Sequence, residues 1–167
     1  MNIYVTVDAN WSIGNNEQLL VRIPRDHKLF LEETAGKVII MGRKALQTMP
    51  QGLPLQGRTN IVLSQNKGLQ IKGATVVHSL KELFVLLEQY PTEDVYVVGG
   101  ESIYEQLLPY CDVVHVTKMD HVYAANKSFP NLEEDASWRL VADSEEQTYF
   151  DIAYEFLKYE RVQKDGL

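Results

Sequence analysis

The 167-residue sequence has little cysteine, no excess of basic residues and no long apolar run. Its single cysteine, Cys111, cannot form an internal disulfide, so a reducing, cytoplasmic compartment is expected. Because Cys111 precedes an apolar segment, we interpret it as a core residue rather than a nucleophile. The net charge of −7 argues against general nucleic-acid binding. No segment approaches the roughly 20 apolar residues of a membrane helix, so no membrane association is expected.

Common motifs of catalytic and metal sites are also missing from the sequence. The four histidines, at positions 27, 78, 115 and 121, lack the spacing of metal ligands. Neither the GxSxG elbow of serine hydrolases nor a Walker-type phosphate loop occurs. We therefore expect no metal site.

Apolar segments alternate with helical patterns along most of the chain. The predicted strands are 3–7, 37–41, 58–64, 75–77, 95–98 and 112–118, and the predicted helices are 24–34, 43–48, 79–89 and one from 101. This alternation predicts an α/β fold with a mostly parallel central sheet and flanking helices. Segments 138–147 and 149–160 predict a C-terminal antiparallel hairpin at the edge of the sheet. The length favours a single domain over residues 1–167.

The segment from Val95 to Tyr104 is the most informative one for ligand binding. An apolar strand ends at Gly99 and Gly100, where glycine permits positive φ and a close approach of a ligand. The helix that follows presents N–H groups that suit a phosphate. A tight corner that binds nothing is the alternative, because a Gly-Gly pair is a weaker signal than a full dinucleotide fingerprint.

Other candidates follow neighbouring strands, whose carboxyl ends form the usual ligand edge of an open α/β sheet. Gly42, Arg43 and Lys44 follow one strand, and Ser64 ends another. Arginine and lysine there suit a phosphate, although a solvated surface pair is the alternative. The loop after the first strand, from Asp8 through Asn16 to about Ile23, is long enough to favour a functional loop.

Asp26 is the most informative single residue. It lies in the first turn of the helix that begins at Pro24. A carboxylate there interacts favourably with the helix dipole and stabilises the helix, whether or not it has a function. Leu29 and Phe30 follow at i+3 and i+4, so Asp26 is predicted to share the inward, apolar face. A carboxyl group there needs a partner. It would bind a cationic or amidine-like heterocycle, or help to supply a proton.

Several segments, in order across essentially the whole chain, resemble motifs of the dihydrofolate reductase family. They are 13–14, 24–26, Phe30, 38–43, 55–64, 98–104, Thr117 and 129–130. The chain is similar to a divergent bacterial-type member of that family.

The resemblance implies a dihydrofolate-reductase-like three-layer sandwich and a hydride transfer from NADPH to C6 of dihydrofolate, with protonation at N5. Asp26 is implied to hold the pterin nitrogens and promote protonation, and Thr117 to support the same hydrogen-bond network. Phe30 would pack on the ring system, and Arg58 would bind the α-carboxylate of the glutamate tail. The substrate residues implied are Tyr4, Val5, Asp26, His27, Phe30, Arg58, Val98 and Thr117.

The cofactor residues implied by the resemblance are Thr6, Ile13, Gly14, Gly42, Arg43, Lys44, Ala45, Leu63, Ser64, Gln65, His78, Val98, Gly99, Gly100, Glu101, Ser102, Ile103 and Tyr104. Among them, Arg43, Lys44, Ser64 and Gln65 would lie on the adenosine side and favour NADPH over NADH. Loop 9–23 would close over the nicotinamide and exclude water. A monomer is the family's usual state.

Several positions depart from the family pattern. Leu20 and Val21 stand in place of a usual Pro-Trp pair, and Ala45 lacks a hydroxyl often found there. Tyr4, Thr6 and His27 replace a small aliphatic residue, an alanine and an apolar residue, and 124–128 replaces a Gly-Asp-Thr sequence. Two alternatives therefore stay open: a reductase of the same fold acting on another pterin or an aminopyrimidine, and a non-catalytic paralogue that binds NADPH or folate.

Overall fold

The structure is a computed structural model that describes residues 1–15 and 18–163. Asn16, which belongs to the predicted loop, lies outside the described residues, as do Glu17 and 164–167. The strands are β1 Asn2–Val7, β2 Ser12–Asn15, β3 Gln18–Leu19, β4 Val38–Gly42, β5 Thr59–Leu63, β6 Ala74–Val77, β7 Val95–Gly99, β8 Val113–Met119, β9 Lys127–Ser128, β10 Trp138–Asp143, β11 Gln147–Tyr149 and β12 Ile152–Arg161. The helices are α1 Pro24–Thr34, α2 Arg43–Gln47, α3 Leu80–Leu87 and α4 Glu101–Leu107.

The main sheet has the strand order β10-β12-β8-β1-β7-β4-β5-β6, and β11 pairs with β12. From β8 to β6 every neighbouring pair is parallel, whereas β12 runs antiparallel to β8, β10 and β11. The prediction of a mostly parallel sheet with antiparallel strands at its C-terminal side is confirmed.

Helices cover both faces of the sheet. Since alternate residues of a strand point to opposite faces, each face contributes its own set of side chains to a core cluster. Ile40 and Val97 belong to one core cluster, together with Leu83 of α3 and Leu107 of α4. Their neighbours in the strands belong to a second cluster, which contains residues of α1 and α2. The predicted three-layer arrangement is confirmed. Within the described residues, no helix combines the length and the apolar composition needed to cross a membrane.

The C-terminal strands differ from the predicted two-stranded hairpin. Instead of one first arm over 138–147 there are two strands, β10 over Trp138–Asp143 and β11 over Gln147–Tyr149, and the ten-residue β12 pairs with both. The division occurs at Ser144, whose side-chain oxygen accepts a hydrogen bond from the backbone N–H of Phe156 (2.9 Å). In the sheet order β12 lies between β8 and β10, so β10 is the edge strand on this side.

The predicted loop after β1 contains two short strands. β2 pairs with β3 and with β9, forming a small second sheet. Buried Asp8 holds the turn before β2, because its carboxylate accepts hydrogen bonds from the backbone N–H groups of Asn10, Ser12 and Tyr123. The pairing of β2 with β9 uses backbone groups, so it does not require the family's usual side chains at 124–128.

Candidate active site

A cavity opens at the carboxyl edge of the sheet, where β1 and β7 separate. β1 pairs with β8 along its whole length but with β7 only at Asn2 and Ile3. Beyond that point the hydroxyl of Tyr104, on α4, donates to the backbone carbonyl of Tyr4 (2.8 Å). The separated strands leave a cavity of about 820 Å³ between the sheet, α1, α2 and α4. This is the usual position of a ligand in an open α/β sheet.

Glycine backbone forms part of the cavity wall. Gly99 has a φ of +121°, a conformation that residues with a side chain rarely adopt, and a Cβ there would lie in a close contact, 3.2 Å from the Tyr104 hydroxyl oxygen. A Cβ on Gly100 would have no heavy atom within 4 Å, so its backbone faces open space. The peptide bond between the two glycines is cis. Together the two residues leave room for a ligand to lie against the main chain.

The carboxylate of Asp26 is buried, with a relative exposure of 6%, and three hydroxyls hold it. Tyr4 and Thr117 donate to Oδ1 at 2.9 and 2.6 Å, and Thr6 donates to Oδ2. Tyr4 and Thr6 lie on β1, and Thr117 is the β8 partner of Thr6 in the strand register. The carboxylate is thus fixed by two adjacent strands, while Pro24 begins the helix that carries it.

Two buried tyrosines near Asp26 are held in the protonated form. Burial is the larger cause that raises the pKa of Tyr4 above its ordinary value, and the Asp26 carboxylate raises it further. The same two causes raise the pKa of Tyr104. Both phenols therefore act as hydrogen-bond donors at this site.

His27 and Arg22 form a polar pair on the cavity wall beside Asp26. The distance from Arg22 Nη1 to His27 Nδ1 is 3.1 Å, and Arg22 Nη2 donates to the carbonyl of Thr48 at 2.6 Å. Burial, and then the Arg22 guanidinium, lower the pKa of His27, which favours a neutral ring that accepts from the guanidinium. Arg22 thereby connects the segment before α1 to the end of α2.

The other end of the cavity is polar and carries positive charge. Arg43 and Lys44 are exposed in the first turn of α2, and they line the same cavity as Ser64 and His78, which follow β5 and β6. His78 follows β6, and its Nδ1 lies 2.9 Å from the carbonyl oxygen of Ser64. These groups have the chemistry to bind an anion.

The structure places every predicted substrate and cofactor residue on the wall of this cavity, with two exceptions. Thr117 lies behind the wall and reaches the cavity only through Asp26. Arg58 lies outside the wall, where its guanidinium donates to the carbonyls of Leu31 and Gln56 and to the hydroxyl of Thr34. These bonds fix Arg58 against the last turns of α1.

The cavity wall also contains residues beyond the named substrate and cofactor residues. Four belong to the predicted loop and six to other segments: Leu20, Val21, Arg22 and Ile23, then Thr48, Met49, Ser79, Gln106, Met119 and Lys127. The four loop residues lie in loop 9–23, which the resemblance implies to close over the nicotinamide, whereas no sequence pattern indicates the other six. Over residues 1–15 and 18–163, no cluster of three or more histidine, cysteine, aspartate or glutamate side chains is arranged to hold a metal ion.

A family model, curated relatives and a solved structure, when compared with this chain, all belong to the same family. The model of the family described as dihydrofolate reductase matches residues 1–161. The dihydrofolate reductase of Bacillus subtilis is 36% identical over 159 residues, which cover 93% of this chain and 90% of that protein. That of Staphylococcus haemolyticus is 33% identical over 167 residues, covering 98% and 96%.

A solved structure gives the same result. The dihydrofolate reductase from Enterococcus faecalis, complexed with NADP(H) and RAB-propyl, superimposes with a TM-score of 0.85 and 28% sequence identity. The match covers 97% of this chain and 96% of that one. The family match over nearly the whole sequence and the shared fold show that this chain belongs to the dihydrofolate reductase family.

Proposed function

We propose that the protein is an oxidoreductase that catalyses the NADPH-dependent reduction of 7,8-dihydrofolate to 5,6,7,8-tetrahydrofolate. One observation carries this proposal: the buried Asp26 carboxylate and the Gly99–Gly100 backbone line the same cavity. The volume of this cavity, about 820 Å³, lies within the range of small-molecule and cofactor sites. The named relatives are dihydrofolate reductases, which favours this function over the reduction of another heterocycle.

The residues around the glycine turn fit NADPH. The open space at Gly100 accepts a ligand against the main chain, and Arg43 and Lys44 supply positive charge for its phosphates. Ser64, Gln65 and His78 lie at the same end of the cavity and would bind the adenosine side. When bound, NADPH supplies the hydride that C6 of dihydrofolate receives.

Asp26 is the proposed catalytic residue. It binds N–H groups of the pterin ring, which orients the ring, and it promotes protonation at N5. Thr117 is proposed to hold the carboxylate in place, since its hydroxyl donates to Oδ1 from behind the wall. Phe30, on the next turn of α1, would pack on the ring, and Arg58 would bind the α-carboxylate of the glutamate tail with its remaining N–H groups.

The loop that contains β2 and β3 is proposed to cover the reacting atoms and exclude water. Ile13 and Gly14 of β2 line the cavity, as do residues 20–23 at the other end of the loop, so both ends of the loop face the proposed ligands. Two backbone pairings join β2 to β9, at Ser12 with Ser128 and at Gly14 with Lys127.

Further proposals concern the molecule as a whole. We propose a single domain over the whole chain, acting as a monomer in the cytoplasm without a nucleic-acid partner. The single buried cysteine and the net charge of −7 support the compartment and the lack of nucleic-acid binding. Analytical ultracentrifugation at micromolar concentration tests the monomer, and a dimer peak would contradict it.

The activity test follows NADPH absorbance with and without dihydrofolate, for the wild type and Asp26→Asn. We expect oxidation that depends on dihydrofolate, and a loss of about 10²-fold or more in kcat for Asp26→Asn, because the amide cannot take up and release a proton. The affinity for NADPH should change little. Full activity in Asp26→Asn would contradict the role of the carboxylate.

The same absorbance assay, repeated with other pterins and with an aminopyrimidine as substrate, tests the alternatives. Turnover of another pterin or an aminopyrimidine, without turnover of dihydrofolate, would indicate a different substrate. NADPH binding without oxidation in the presence of any pterin would indicate a non-catalytic paralogue. Asp94→Asn serves as a control, because Asp94 is a partly buried carboxylate that accepts a hydrogen bond from Lys37 (2.9 Å) and lies outside the cavity wall.

A further inference from the structure

The hydroxyl of Tyr4 occupies a position on the Asp26 carboxylate that a ligand would need. A carboxylate offers about four acceptor positions, two on each oxygen. Oδ1 accepts from Tyr4 and Thr117, which fill both of its positions, whereas Oδ2 accepts from Thr6. Among the hydrogen bonds of the described residues, the carboxylate therefore keeps one position, on Oδ2.

A ring edge with two adjacent N–H donors binds a carboxylate as a fork and needs one position on each oxygen. Oδ2 can provide it, but Oδ1 must first lose one of its two donors. Thr117 lies behind the cavity wall, whereas Tyr4 lies on it. The Tyr4 hydroxyl is therefore the donor that faces an incoming ligand.

Tyr4 can leave Oδ1 without losing every partner. Its hydroxyl also lies 3.3 Å from the backbone carbonyl oxygen of Asp26, which can accept the displaced hydrogen bond. Packing holds the ring in place, because Tyr4 contacts Phe30 with ring centroids 5.3 Å apart and is 7% exposed. Displacement thus requires a small movement of the hydroxyl rather than a rearrangement of the core.

We propose that Tyr4 is a specificity-determining residue, whose hydroxyl competes with the ligand for Oδ1 of Asp26. A ligand edge with a single N–H donor uses the open position on Oδ2 and displaces nothing. An edge with two donors has to displace Tyr4, so its affinity is reduced relative to the single-donor edge. For the pterin ring of dihydrofolate the inference rests on the proposed function, but the competition itself depends only on the hydrogen bonds at Asp26.

The test compares two isomeric probes, 2-aminopyridine and 4-aminopyridine, both in their cationic forms. The first presents a ring N–H and an adjacent amino N–H on one edge, and the second presents the ring N–H alone. Calorimetric titration of wild type and Tyr4→Phe gives the ratio of their dissociation constants. We expect Tyr4→Phe to lower the Kd of 2-aminopyridine by about three- to tenfold, with little change for 4-aminopyridine.

Thr6→Val is the matched control at the same carboxylate. It removes a hydroxyl from Oδ2, which already has a second position, so it should change the ratio of the two constants less than Tyr4→Phe does. Equal effects of the two substitutions would overturn the positional argument. Tyr159→Phe removes a buried phenol outside the cavity and reports any general effect on folding.

Dihydrofolate added to the NADP⁺ complex separates this inference from the proposed function. A lower dihydrofolate Kd in Tyr4→Phe, with the expected change in the aminopyridine ratio, supports both. The aminopyridine change without dihydrofolate binding supports the competition and contradicts the proposed substrate. Dihydrofolate binding with an unchanged aminopyridine ratio overturns the competition alone.

Discussion

Asp26 illustrates how much of the site is decided at the scale of single residues. Its place in the first turn of an amphipathic helix predicts an inward carboxyl group, and the carboxyl group is buried in the structure. The residues that bind it are less predictable. The resemblance implies that Thr6 contacts the cofactor. Thr6 does line the cavity, but its hydroxyl also donates a hydrogen bond to Asp26. Strand register decides this contact, and register depends on pairing with β8.

Lys44 allows a residue-scale prediction about cofactor choice. Lys44 lines the end of the cavity that is proposed to bind the adenosine side of NADPH with its extra phosphate. Lys44→Ala should raise the Kd of NADPH by about tenfold, since a charge-assisted hydrogen bond is lost, and leave that of NADH nearly unchanged. Fluorescence titration with both nucleotides measures the two constants. Lys67→Ala, an exposed lysine away from the cavity, is the control, and equal losses for both nucleotides would exclude a contact with that phosphate.

At the scale of elements, the helices that flank the cavity are fixed by local capping and by contacts between segments. Ser79 and Glu82 have the spacing of a capping box at the start of α3, and this motif is partly formed. Ser79 Oγ accepts from the backbone N–H of Glu82 (3.1 Å), but the Glu82 carboxylate accepts from the N–H of His78 instead of Ser79 (2.9 Å). At the other helix, Glu101 Oε2 accepts from the backbone N–H of Ser128 (2.6 Å), joining α4 to β9.

The cap of α3 gives an element-scale prediction. Ser79→Ala should lower the free energy of unfolding by about 1 kcal/mol, because the N–H of Glu82 loses its acceptor. Urea unfolding followed by circular dichroism measures the change. Ser137→Ala, at an exposed site outside any helix, is expected to have little effect, and equal losses for both variants would argue against a capping role.

At the scale of the whole molecule, Cys111 reports on the folded core. Burial, the largest cause, raises the pKa of its thiol from 9.0 to about 12, and its exposure is 0%. Between those pH values the unfolded chain loses the thiol proton and the native state keeps it. The thiol's contribution to stability therefore falls as the pH rises, by about 1.4 kcal/mol per pH unit.

This linkage predicts the behaviour of Cys111→Ala. The variant should be less stable than the wild type at neutral pH, since it loses buried contacts, and the difference should shrink as the pH rises above the ordinary thiol pKa. Urea unfolding of both proteins across that range measures the difference. A constant difference would mean that the thiol titrates alike in the folded and unfolded states.

The alternation of strands and helices, the glycine turn after β7 and the inward carboxylate of α1 could all be predicted from the sequence. Each follows from local periodicity, from glycine's freedom at positive φ or from spacing within one helix, all of which are encoded over a few neighbouring residues. The position of β12 between β8 and β10, the pairing of β2 with both β3 and β9, and the meeting of Tyr4, Thr6 and Thr117 at Asp26 became known only from the folded chain. These contacts join segments distant in the sequence, and they depend on strand order and register, which no single segment encodes.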